Sequence, residues 1–117
     1  VTNSAEQLRI DLFEDNVCSA LVAEENGVII GFSLYYISYS TWKGRCLYLE
    51  DFFVLPDKRR EGIGQMLFDQ TVSVAVKLGV KRMDWQVLDW NQPALNFYKK
   101  NNATLDGEWI NGRLFFD

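Results

Sequence analysis

Residues 48–78 constrain the fold more than any other stretch of the chain. Tyr48-Leu49-Glu50-Asp51-Phe52-Phe53-Val54-Leu55 is rich in aromatic and β-branched residues and ends at Pro56, which reads as a strand. A cationic segment with Arg59 and Arg60 follows, then Gly62 and Gly64. From Gln65 the apolar residues Met66, Leu67, Val74, Ala75 and Leu78 fall on or near one helical face, and Gly79 closes the run. Strand, turn, glycine loop and helix is an arrangement that frees backbone amides and points the positive end of a helix dipole at one place. An anion fits there, and a phosphate is the natural guest. Position 67 is Leu67, so the dinucleotide fingerprint Gly-x-Gly-x-x-Gly is incomplete, and the nucleoside-triphosphate loop Gly-x-x-x-x-Gly-Lys-Ser/Thr is absent. What stands is Arg59-x-x-Gly62-x-Gly64, which taken alone also describes a plain strand-to-helix turn.

At 117 residues the chain is expected to form one domain, residues 1–117, with no room for two cores. A hydrophobic content of 48% is enough to bury such a core. The net charge of −4 speaks against nucleic acid as a partner and favours a cationic small molecule. No apolar run reaches the ~18 residues of a membrane span, and the first residues form neither a basic nor an apolar leader. The start also lacks Met, which suggests a fragment. Histidine is absent, which removes Ser-His-Asp and Cys-His catalysis and histidine-ligated metal sites; no metal is expected. Cys18 and Cys46 are far apart and read as reduced thiols of a cytoplasmic protein.

Ser4-Ala5-Glu6-Gln7 has the form of a capping box and opens an amphipathic helix to about Asp15. Its carboxylates, Glu6, Asp11, Glu14 and Asp15, read as a solvated face or as a lure for a cation. A strand over 19–24, the Asn26-Gly27 hairpin turn and a return strand over 28–39 come next, with Gly31 marking a bulge. Ser40 to Gly44 turns the chain into the strand 45–54, giving three antiparallel strands ahead of the glycine loop. Lys81 to Leu88 alternates like a strand, and the helical crossover makes it a parallel partner. Asn91 suits an N-cap, Pro93 a first turn, Lys99 and Lys100 a last turn, and Asn101 or Asn102 a left-handed cap. In the tail, 103–105 and 113–116 look like short strands, and Asn111-Gly112 fits a hairpin turn or a bulge.

The loop, taken with Leu49-Glu50-Asp51-Phe52-Phe53-Val54 and with Trp90-Asn91-x-Pro93-Ala94-x-Asn96-Phe97-Tyr98, resembles the Gcn5-related N-acetyltransferases over 13–116. Tyr48 to Val54, Asn91 to Tyr98, and Gly31 to Tyr36 ahead of Trp42-Lys43-Gly44 look like the spermidine/spermine (diamine) branch, which includes enzymes for polyamines and for thialysine. The resemblance implies an α/β fold: a mixed, mostly antiparallel sheet flanked by helices, here lacking the family's first strand and helix. It also implies acetyl-coenzyme A as co-substrate, a primary amine as acceptor, direct attack without an acyl-enzyme, and a homodimer. One departure concerns the acceptor. The acid that the polyamine enzymes carry near the last strand falls at Ile110, with Glu108 nearby, which argues against spermidine.

Carried over residue by residue, the pyrophosphate is implied to bind at Arg59, Arg60, Glu61, Gly62, Ile63, Gly64 and Gln65. The pantetheine arm pairs with main chain at Phe52, Phe53 and Val54 and meets Asn91, Pro93 and Ala94. The hydroxyl of Tyr98 is implied to lie near the thioester sulfur and protonate the leaving thiolate. Glu50 faces the acceptor as base or as ammonium ligand, and strand alternation sends Asp51 to the opposite face. Asp84, Trp85 and Gln86 are implied to contact the acceptor, although tryptophans such as Trp85 and Trp90 are more often core. Two other functions fit the residues: acetylation of a protein terminus or lysine, and a coenzyme-binding or dimerisation module without turnover.

Overall fold

The computed structural model describes residues 3–116. They form two compact units, Asn3–Trp85 and 86–116. The first holds helix α1 (Ala5–Phe13), strands β1 (Ser19–Glu25), β2 (Val28–Ser40) and β3 (Gly44–Val54), a 3-10 turn at Pro56–Lys58, helix α2 (Ile63–Leu78) and strand β4 (Met83–Asp84). The second holds helix α3 (Gln92–Lys100).

The four strands form one sheet in the order β1-β2-β3-β4. The first two pairings are antiparallel and the third, β3 with β4, is parallel, so the sheet is mixed and mostly antiparallel as expected. Asn26 and Gly27 both take positive φ, 52° and 79°, the two-residue turn that matches strand twist. At the next turn the Ser40 hydroxyl accepts the amides of Trp42 and Lys43, both at 3.2 Å.

Helix α2 covers one face of the sheet. Ile63, Leu67, Thr71 and Ala75 recur every four residues and are buried, with Phe68 beside them. Met66 and Leu78, placed on that face from sequence, are instead half exposed; the stripe runs one step over, through Thr71. Ala23, Ile30, Val54, Ile63 and Leu67 make one core cluster, and Tyr35, Leu47, Leu49 and Ala75 a second. Gly31 faces Leu67 of α2 at close range. A Cβ there would stand 2.9 Å from the Phe53 carbonyl oxygen and 3.1 Å from Leu67 Cδ1. The bulge residue is its neighbour: Glu24 pairs with Ile29 and Ala23 with Gly31, leaving Ile30 as the extra residue. Gly31→Ala is expected to destabilise the chain by about 1–3 kcal/mol, because a backbone oxygen has little freedom to retreat. Denaturant unfolding of the two proteins checks it.

Several local expectations need correction. The Ser4 hydroxyl accepts the Gln7 amide at 3.0 Å, but the Gln7 side chain donates forward to Asp11 instead of back to Ser4. Helix α1 stops at Phe13 and buries no residue. Its Glu6 and Glu14 pair with Arg9 at 2.8 and 2.7 Å, so those carboxylates already have a cation. Strand β4 is two residues long, where alternation predicts eight. Its pairing ends at Tyr48–Asp84, just before β3 bulges. In the second unit Asn91 caps α3, and the left-handed cap is Asn102 at φ 66°, Asn101 being right-handed. No strand forms over 103–116 among the described residues. Trp109, Ile110, Leu114, Phe115 and Phe116 stay exposed there, so β-type residues without a partner strand do not make a ladder.

Candidate active site

The register of β2 against β3 slips between Leu34 and Tyr35. Leu34 pairs with Asp51 and Tyr35 with Leu49, so Glu50 is the extra residue of a bulge. Leu49 and Phe52 both join the core under α2, three residues apart. Strict alternation cannot run through that point, so the sequence argument sending Glu50 and Asp51 to opposite faces does not apply. Both carboxylates are exposed. Beyond the bulge, the β4 side of residues 49–54 has no strand partner among the described residues. A strand edge of this kind is where an extended ligand can add, and the Val54 carbonyl at its end accepts Arg59 Nε.

The chain then folds into the glycine loop. Arg60 takes φ 67° and Gly62 φ 82°, two left-handed residues that turn the backbone into α2. The first helical hydrogen bond closes from the Met66 amide to the Gly62 oxygen at 3.0 Å. No side chain caps the helix and no acidic residue lies in its first turn. The Ile63 and Gly64 amides therefore precede the ladder, at the positive end of a 16-residue dipole.

The two glycines have different reasons to be there. Gly62 needs its positive φ. Gly64 does not: a Cβ on it would meet nothing nearer than Val54 Cγ2 at 3.9 Å, an ordinary contact. Among the described residues nothing demands a glycine at 64.

The three cations of the loop divide their work. Lys58 pairs with Glu25 at 2.6 Å, which holds its ammonium pKa above the usual lysine value and ties the 3-10 turn to the end of β1. Arg59 donates through Nε to the Val54 carbonyl at 2.9 Å and lies over the Phe53 ring, 5.6 Å from its centroid. Arg60 is exposed and makes no hydrogen bond or ion pair with another described residue. Of the two arginines read as phosphate clamps, Arg59 is thus already occupied in shaping the loop. Glu61 precedes Gly62 and is exposed, and Gln65 donates to Asp69 at 2.9 Å.

Next to the bulge, one short stretch serves the core and pairing with charge. Asp84 is bridged by Arg82 at 2.8 Å, and the half-buried Trp85 ring stands edge-on to Phe68 at 5.7 Å. Trp85 is therefore a core residue, as tryptophans usually are. Phe53 stacks obliquely on Phe32 and Tyr36 on Tyr48, with centroids 6.1 and 5.4 Å apart. A cavity of about 480 Å³ lies at the other end of α2, between Asn16–Ser19, Tyr35 and Leu78. Its lining includes no residue of the glycine loop, whereas Tyr35 pairs with Leu49 beside Glu50.

In the second unit the Asn91 side-chain oxygen Oδ1 accepts the Ala94 amide at 3.3 Å, and Pro93 lies in the first turn of α3, both as expected. Gln86 donates to Asn111 at 2.9 Å. Tyr98 is 8% exposed, and its ring lies edge-on to Phe97 at 5.5 Å. Burial raises the phenol pKa of Tyr98 and of Tyr35 above the ordinary tyrosine value. Both tyrosines are then protonated in the folded chain where the unfolded chain has begun to ionise. Their contribution is fully present below the unfolded pKa of about 10 and is lost as pH rises through the folded values. Thermal unfolding is expected to fall in midpoint above about pH 10, and less steeply in Tyr98→Phe.

Among the described residues no group of three or more candidate metal ligands occurs, and no helix is long and apolar enough to cross a membrane. The profile described as the acetyltransferase (GNAT) family matches residues 2–103. Thialysine N-epsilon-acetyltransferase of Bos taurus is 42% identical over 109 residues, covering 86% of this chain and 64% of its own length. The Caenorhabditis elegans protein of the same name is 37% identical over 117 residues, covering 97% and 72%. An integron cassette protein from the mobile metagenome of V. cholerae superposes with a TM-score of 0.80 at 28% identity, covering 97% of this chain and 74% of that one. The chain thus spans less than two thirds of the bovine relative it matches. A strand broken by a bulge, a glycine loop at an uncapped helix and a family profile over most of the sequence lead to one conclusion: the chain belongs to the GNAT acetyltransferase family.

Proposed function

We propose that the chain transfers acetyl from acetyl-coenzyme A to the primary amine of a small lysine-like or diamine acceptor, acting in the cytoplasm as a homodimer. The observation that carries this reading is Gly64. The chain itself leaves room for a side chain there, so what the position keeps clear is space for a ligand at the start of α2. A pyrophosphate meets that requirement, since it takes hydrogen bonds from the early amides and charge from the dipole. Arg60 is the side-chain clamp in this reading, and Arg59 shapes the loop. In this reading the main chain of β3 at Phe52, Phe53 and Val54 pairs with the amides of the pantetheine arm, and Asn91, Pro93 and Ala94 are further contacts of the coenzyme.

In the reaction the neutral amine attacks the thioester carbonyl, and the tetrahedral intermediate collapses with loss of coenzyme A thiolate. Tyr98 gives its proton to that sulfur; a buried phenol with a raised pKa keeps the proton at neutral pH. Glu50 receives the proton released by the amine, directly or through water, or binds a second ammonium of the acceptor. Asp84, Trp85 and Gln86 each have an internal partner, so in this reading the acceptor role goes to Glu50, the exposed bulge residue, ahead of its exposed neighbour Asp51. The lysine-like acceptor follows the thialysine acetyltransferases, whose names give that substrate.

Thiol release from acetyl-coenzyme A, run with spermidine, putrescine, thialysine, lysine and short peptides, tests the reading. Release that depends on one small amine supports it. Release with peptides alone would make the chain a protein acetyltransferase, and coenzyme binding without acceptor-dependent release would make it a non-catalytic module. Sedimentation at micromolar concentration tests the homodimer.

A further inference from the structure

Thr71 breaks the apolar stripe of α2, and its hydroxyl is as buried as any atom in the core. It and Ser33 on β2 are both 0% exposed, and their hydroxyl oxygens lie 2.8 Å apart. The Thr71 hydroxyl also reaches the Leu67 carbonyl at 2.8 Å, where it can only donate. Its single proton is then committed, so Ser33 must be the donor between the two. A chain of hydrogen bonds runs from Ser33 to Thr71 to Leu67, and it leaves no buried side-chain polar atom unpaired among the described residues.

We propose that Ser33 and Thr71 are a positioning pair that fixes where the glycine loop stands relative to β3. The inference rests on the proposed coenzyme site. Its physical basis is register. Apolar packing of a helix on a sheet is tolerant of sliding, because one methyl contact replaces another. A buried hydroxyl pair is not, because a slipped pair is left unsatisfied in the core. The pair does not act alone. Gly31, two residues from Ser33 on β2, receives Leu67, one helical turn from Thr71. Steric fit at Gly31–Leu67 and hydrogen bonding at Ser33–Thr71 therefore define two successive points of one helix-to-strand alignment.

That alignment matters at the N-terminal end of α2. Thr71 lies eight residues beyond Ile63, about 12 Å along the helix axis. The early amides of α2 and the open edge of β3 belong to different elements, yet in the proposed site one coenzyme spans both. Their separation is then set by how α2 is seated on the sheet. Neither Ser33 nor Thr71 touches the loop, so they act through the position of α2.

The test measures coenzyme A binding by calorimetry and amide exchange by mass spectrometry in wild type, Thr71→Val, Thr71→Ser and Ser33→Ala. Thr71→Val keeps the shape and removes the hydroxyl; it is expected to weaken coenzyme A about tenfold. Exchange is expected to rise over 62–67 while β2 and β3 keep their protection. Thr71→Ser restores the hydroxyl and should return affinity to within about twofold. Ser33→Ala still leaves Thr71 bonded to Leu67, so it folds readily and carries the same test should Thr71→Val unfold. Its expected loss is similar, and the double variant is expected to be no weaker than the weaker single one. Unchanged affinity in both single variants overturns the proposal, as does an exchange increase spread evenly over the sheet. Failure of the wild-type chain to bind coenzyme A overturns the proposed function itself and this inference with it; binding by wild type and variants alike overturns the inference alone.

Discussion

Gly64→Asp is expected to fold at least as stably as the parent chain while losing coenzyme A affinity by at least about a hundredfold. The two effects have opposite signs because they have different causes. Gly64 is the second residue of α2 and has no positive φ to preserve. A Cβ there meets only Val54 Cγ2, at 3.9 Å. Replacing glycine in a helix recovers about 0.5–1 kcal/mol of backbone entropy, and a carboxylate in the first turn adds about 0.3–1 kcal/mol against the dipole. The ligand sees the reverse. The aspartate occupies the space next to the Ile63 and Gly64 amides and sets a negative charge against a pyrophosphate. Gly64→Ala provides the scale: it should share the gain in stability and lose less affinity than Gly64→Asp, because its methyl group intrudes on the ligand's space without adding charge. Chemical denaturation and calorimetry with coenzyme A read both quantities. A Gly64→Asp chain that keeps wild-type affinity would remove the pyrophosphate from this loop. One that unfolds would show that position 64 is held for the fold after all.

Several elements are legible in the sequence because each has a local cause. Asn26-Gly27 needs only its own φ values, and Ser4 and Asn91 cap helices through amides three residues away. The glycine loop also announces itself, since few residue types permit φ 82° at Gly62. What escaped depends on partners far along the chain. The bulge at Glu50 is defined by pairing with Leu34 and Tyr35. A trace of it was available: the inward apolar residues step by two through Leu47 and Leu49, by three to Phe52, then by two to Val54. The bond from Arg59 Nε to Val54 also escaped, because its acceptor is a backbone carbonyl that no side-chain pattern reveals. The role of the Thr71 hydroxyl depends on Ser33, a residue of β2 that no local pattern on the helix points to. The extended pattern at 81–88 and in the tail reflects residue preference, whereas a strand requires a neighbour to bond.

Tyr98→Phe tests the chemistry most directly. The ring stays, so packing against Phe97 and the burial of α3 are kept, and only the hydroxyl is lost. If Tyr98 protonates the departing thiolate, its loss should lower kcat by about 10²–10⁴-fold. Coenzyme affinity should change little, because the proton moves only as the bond breaks. The pH profile supplies an independent reading. Burial raises the phenol pKa, so the acid form persists to more alkaline pH than in a free tyrosine. Wild-type kcat is then expected to rise with pH as the amine loses its proton, and to fall only above about pH 10, where the phenol ionises. In Tyr98→Phe that alkaline fall should vanish along with most of the rate. Thiol release measured from pH 6 to 11 separates these cases. An undiminished kcat in Tyr98→Phe would return Tyr98 to the role of a packed core tyrosine and leave protonation of the thiolate to water.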